Sequence, residues 1–106
     1  MALDIEKVKA TVKIYADEVR QTMSVVRVFL YGSYAKGTAN EHSDVDVCFF
    51  LADYEDKNCI DILKKLLKLS HKYKIAIEPN VVEVSDIDDE DDPYVKEVLR
   101  TGIEIF

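Results

Sequence analysis

The sequence predicts an α/β (α+β) fold in a single domain, residues 1–106, and three observations carry that prediction. Helical and strand periodicities alternate along the chain in the order helix, strand, short turn, strand, helix, strand, helix. At 106 residues there is room for one core and not for two. A composition of 48% hydrophobic and 33% charged residues suits a soluble globular protein that buries a core, not a disordered tail.

Each element has its own signature. Leu3, Ile5, Val8, Val12, Val19 and Met23 recur at roughly helical spacing with Lys and Glu between them, which predicts an amphipathic first helix over 3–23. "VVRVFLY", 25–31, is short, β-branched and aromatic and stops at Gly32, as a buried strand does. After the polar stretch 38–43, "DVDVCFFL" alternates and then runs apolar, which predicts a second strand. From Asp56 to Tyr73, Ile60, Leu63, Leu66, Leu67 and Ser70 recur at three and four with lysines between, a helix with a basic, solvated outer side. "KIAIEPNVVEV", 74–84, reads as a third strand in which Pro79 marks an edge, a bulge or a bend. Pro93 opens a last short helix that ends near Gly102, and "IEIF" closes the chain as a strand or a packed tail.

Composition excludes several classes of function. No run approaches the eighteen or so apolar residues of a membrane span, and "MALDIEKVKA" is charged where a signal peptide is apolar, so a cytoplasmic protein is expected. Cys48 and Cys59 lack metal-ligand spacing and are expected to be reduced and structural. His42 and His71 lie far apart with no Cys/His cluster, which argues against zinc. The net charge of −7 is concentrated in "DIDDEDD", 86–92, read as a solvated loop; outside it fifteen acids face fourteen bases. Without a broad basic surface, nothing argues for a nucleic-acid partner.

The informative stretch is "LYGSYAKGTANEHSDVDVCFF", 30–50. Gly32 lets the backbone turn sharply after a strand, Ser33 suits an N-cap, and Gly37 can end a single helical turn. Free N–H groups at such a turn, with the Ser33 hydroxyl beside them, suit a phosphate, and Lys36 can add a positive charge. The segment is neither a Walker loop, whose Gly-Lys-Thr/Ser order "KGT" reverses, nor the dinucleotide fingerprint. Asp44 and Asp46, two apart on a strand, share one face about 6.6 Å apart along its axis, while Val45 and Val47 point into the core. Side-by-side carboxylates repel unless a cation sits between them, and magnesium, which takes carboxylate and phosphate oxygens, is that cation.

"FLYGSYAKGTANEHSDVDV" resembles the DNA polymerase beta-like nucleotidyltransferase superfamily: an apolar strand, Gly-Ser, a short helical turn and an Asp-x-Asp strand. It is most similar to the minimal nucleotidyltransferase group, with Lys36 where that group has arginine, and "IEPNVVEV" and "VKEVLRTGIEIF" resemble the group's second half. The resemblance implies a small mixed sheet flanked by helices, and transfer of a nucleoside monophosphate, AMP from ATP, to an acceptor hydroxyl. It implies that Gly32, Ser33 and Lys36 bind substrate and that Asp44 and Asp46 bind two magnesium ions. It also implies a third carboxylate, metal ligand and base, on a neighbouring strand. Glu78 is the better match because Ile75 and Ile77 take the core-facing parity, and Glu83 is the rival if the strand is offset at Pro79. Larger members continue into a domain that grips base and acceptor, so a partner or a homodimer is expected to complete the pocket. The group's usual partner is a small all-helical HEPN-type protein, the pair acting as toxin and antitoxin. The alternative is a catalytically weak nucleotide- or partner-binding module that neutralises a helical toxin by complex formation.

Overall fold

Four strands form one sheet in the computed structural model, which describes residues 4–52, 59–83 and 92–105. Strand β1 (Val25–Tyr31) pairs antiparallel with β2 (Val45–Leu51), and β3 (Ile77–Glu83) runs parallel to β2. The two-residue strand β4 (Ile103–Glu104) pairs antiparallel with β1, giving the order β3-β2-β1-β4. The helices are α1 (Ile5–Arg20), α2 (Ser33–Lys36), α3 (Cys59–Ser70) and α4 (Pro93–Thr101). A mixed sheet flanked by helices is the architecture the sequence predicts, and "IEIF" contributes its strand.

Alternation, shifted once where the register slips between Val25 and Arg27, divides the sheet into two faces. Val28, Leu30, Val45, Val47, Phe49, Leu51 and Ile77 line one, where α1 and α3 cover them with Val8, Val12, Tyr15, Val19 and Leu66. The buried Tyr15 hydroxyl donates to the Leu66 carbonyl at 2.7 Å, tying the two helices together. The other face carries Phe29, Cys48, Phe50 and Val82, and α4 covers it with Val95 and Val98. That cover is partial, and the open end of this second face holds the candidate site.

Local chemistry explains the helix ends. The Asp4 side chain accepts from the Glu6 N–H at 2.8 Å and caps α1. Asp92 accepts from the N–H groups of Tyr94 and Val95 at 3.0 and 3.3 Å, and Pro93 takes the first turn of α4. Asp92 is thus a cap, while the rest of the acidic stretch, 86–91, lies outside the described residues, as do Leu3, Asp56 and Val84.

Three expectations change. α1 ends at Arg20, and Met23 reaches the core from the following turn. On α3 the inward line runs Ile62, Leu66, Leu69 and then Tyr73 beyond the helix end, with Ser70 buried beside it; Ile60 and Leu67, seven apart, are 67% and 42% exposed. The predicted stripe mixed two faces because leucines and isoleucines occupy both. β3 starts at Ile77, although Ile75 packs on the core as its parity requires. Pro79 pairs with Val47 in unbroken register, so it marks an edge strand and not a bulge. No described helix is long and apolar enough to cross a membrane.

Candidate active site

The phosphate turn begins where β1 ends. Gly32 has φ 73° and ψ −149°, a region essentially confined to glycine. A Cβ added there would run into the Asp46 carboxylate, so the missing side chain at 32 is the space that Asp46 occupies. One helical turn follows: the Lys36 N–H donates to the Gly32 carbonyl at 3.1 Å, and the Thr38 N–H to the Ser33 carbonyl at 2.9 Å. Gly37, left-handed at φ 75°, closes α2. Gly32, not Ser33, is the N-cap, because the chain turns one residue earlier than predicted. Ser33 is the first residue of α2, and no side chain caps the turn.

Sheet register assembles the acids. Asp46 lies opposite Tyr31 of β1 on one side and Glu78 of β3 on the other, so the three form one row across three strands. Directly paired residues share a face; Asp44, predicted on the strand, lies just before β2, close enough for its charge to act on Asp46. The intervening Val45 and Val47 are buried on the far side, as predicted. Asp46 is half-buried, whereas Asp44 and Glu78 are exposed. Burial, and then the charges of Glu78 and Asp44, push the Asp46 carboxyl up to about 6. Glu83 sits opposite Leu51 at the other end of the strand and at odd parity, so it does not join the row.

Sequence reasoning missed four neighbours. The Asn80 amide donates to the Tyr31 hydroxyl at 2.7 Å. Tyr94, at the start of α4, sets its ring edge-on against Tyr31, with centroids 5.7 Å apart, and its hydroxyl hydrogen-bonds there too. Burial raises the Tyr94 phenol well above its ordinary range. Glu97 of α4 meets the Lys36 ammonium at 3.0 Å and the Arg100 guanidinium at 2.7 Å, which hold its carboxyl below the usual range. Lys36 therefore reaches across to α4. Parity with Glu78 could have flagged Asn80; nothing in the sequence signals the Lys36–Glu97 pair, which depends on where α4 lands.

The donor set suits a hard divalent cation, with oxygen ligands only and an Asp46 carboxyl raised by burial and then by its acidic neighbours, whose repulsion a cation between them would relieve. Among the described residues, no three His, Cys, Asp or Glu side chains stand gathered as a ready metal cage. The carboxylates would converge by side-chain rotation, Asp46 and Glu78 from paired positions on one face and Asp44 from the residue before β2.

Comparison with known proteins gives concordant results. The profile of the nucleotidyltransferase domain family matches residues 12–102. The protein adenylyltransferase MntA of Thermococcus cleftensis is 33% identical over 101 residues, covering 95% of this chain and 86% of that protein. The Methanocaldococcus jannaschii protein MJ1305, whose adenylyltransferase name is provisional, is 40% identical over 67 residues; the match spans 59% of this chain and 45% of MJ1305. Among solved structures, a toxin–antitoxin crystal structure with AMP-PNP superposes with a TM-score of 0.61 at 16% identity, covering 89% of this chain and 72% of that one. At that identity the likeness speaks for the fold.

Proposed function

The chain belongs to the nucleotidyltransferase domain family, and from that premise we propose that it transfers AMP from ATP to a hydroxyl of a partner protein. The observation that carries this reading is the row Tyr31–Asp46–Glu78 with Gly32 at its end, which sets a phosphate turn against carboxylates on one face. The names of the relatives, protein adenylyltransferases, support the choice of nucleotide and acceptor class.

In this reading Gly32 and Ser33 hold the β- and γ-phosphates with backbone N–H groups and the Ser33 hydroxyl, and Lys36 adds charge once it leaves Glu97. Asp44, Asp46 and Glu78 would hold magnesium, two ions by family resemblance; when bound, the metal neutralises the triphosphate and acidifies the acceptor hydroxyl. Glu78 accepts the hydroxyl proton. The acceptor oxygen bonds the α-phosphorus as the bond to the bridging oxygen breaks, and pyrophosphate leaves. Exposed Glu78 and Asp44 leave the acceptor side open, which suits a docked macromolecule. The toxin–antitoxin neighbour supports a toxin as that partner, the chain being its antitoxin; that the toxin is a helical, HEPN-type protein follows from the family resemblance.

A second reading has one observation in its favour: the carboxylates do not stand as a ready metal cage among the described residues. In it the chain neutralises its partner by binding alone. Transfer of label from α-labelled ATP to a protein acceptor separates the two, and titration calorimetry with ATP tests the metal site that the first requires. The enzyme reading expects ATP binding only with magnesium, and loss of binding in Asp44→Asn with Asp46→Asn. Equal affinity with and without magnesium would defeat it.

A further inference from the structure

We infer that Tyr31 and Asn80 are positioning residues whose hydrogen bond straps the sheet across β2 and fixes the distance between the phosphate turn and Glu78. This rests on reading Gly32 and Glu78 as two ends of one site. Tyr31 is level with Asp46, whereas Asn80 is level with Cys48, one row further in. The strands that carry them are not neighbours. They flank β2 and so lie roughly 10 Å apart, twice the usual strand spacing. A 2.7 Å bond between the two side chains therefore runs diagonally over β2, between Asp46 and Cys48.

Each end of the strap adjoins a part of the site. Tyr31 immediately precedes Gly32, so its ring anchors the start of the turn. Asn80 stands two residues after Glu78 on an edge strand that, among the described residues, has only β2 as a neighbour, so its displacement is resisted by one ladder. Tyr94 locks the tyrosine from above, ring against ring and hydroxyl to hydroxyl. The buried Cys48 thiol beneath hydrogen-bonds Tyr94 and so ties the same clasp to β2. Where two strands and a metal must agree on geometry, small misplacements cost much of the rate.

The test uses the full chain, with magnesium and ATP as probes. In calorimetric titrations at fixed ATP, Tyr31→Phe and Asn80→Ala should each raise the magnesium concentration for half-maximal binding about 5- to 10-fold. The double variant should do no more than either alone, as one shared contact demands. In a Glu78→Gln background neither change should move it. An unaltered magnesium response in a folded Tyr31→Phe, additive effects, or effects that persist in Glu78→Gln would each overturn the strap. If Tyr31→Phe does not fold, Asn80→Ala in both backgrounds decides alone. Wild-type ATP binding that ignores magnesium would refute the underlying site, a result distinct from all of these.

Discussion

Removing one charge at the candidate site should make the protein more stable. The Asp46 carboxyl is held near 6 instead of 3.8, by burial first and by Glu78 and Asp44 next. A folded value above the unfolded one means that the fold binds this proton more tightly. Stability from this group is therefore full below about pH 3.8 and is lost as pH rises through 6. About two pH units at roughly 1.4 kcal/mol each would give about 3 kcal/mol; the side chain is only half-buried, and solvent screening reduces this to about 1–2 kcal/mol. Asp46→Asn abolishes the ionisation, so at pH 7.5 in EDTA it should be the more stable protein by that amount. For a domain of this size that is a rise of roughly 5–10 °C in Tm. Urea denaturation at pH 7.5 and pH 4 measures it: the advantage should shrink severalfold at pH 4, where wild-type Asp46 is protonated. Magnesium should narrow the gap from the other side by stabilising wild type more. An Asp46→Asn protein no more stable than wild type at pH 7.5, or one whose advantage is equal at pH 4, would refute the reasoning.

Two further substitutions address the turn. Gly32→Ala forces a Cβ into a positive-φ residue and onto the Asp46 carboxylate, and should cost about 2–4 kcal/mol by urea denaturation together with all ATP binding; a cost under about 1 kcal/mol would mean that the turn adapts. Glu97→Gln frees Lys36 for the triphosphate, so ATP should bind a few-fold more tightly with Tm little changed, an exposed pair being worth little; unchanged affinity, measured by calorimetry, would remove Lys36 from the phosphate site.

The elements were legible because their apolar periods are local. β1 is copied from its sequence signature, and β2 and α4 differ from theirs by a residue at one end. The face of Asp46 followed from parity alone, whereas Asp44 precedes the strand by one residue. What the sequence could not decide was long-range. Glu78 and Glu83 are equally acidic and lie on the same predicted strand, and only the parallel register with β2 aligns one of them with Asp46. Lys36 looks free until α4 packs and brings Glu97 to it. Ile60 and Leu67 count as core in any local tally and are exposed once α3 has a definite orientation. Ser33 fits a cap by residue type, but the φ of Gly32 moves the start of the helix.

The half-covered second face of the sheet has a kinetic consequence. A triphosphate seated between Gly32 and the carboxylates would lie on a ledge, with α4 behind it and water in front, since Glu78 and Asp44 are exposed. Water is itself an acceptor hydroxyl. Until another surface covers the ledge, hydrolysis competes with transfer, and closure both excludes water and strengthens every charge contact beneath it. The yield of transfer per ATP consumed would then be set by how long the acceptor stays docked, a property of the pair and not of this chain.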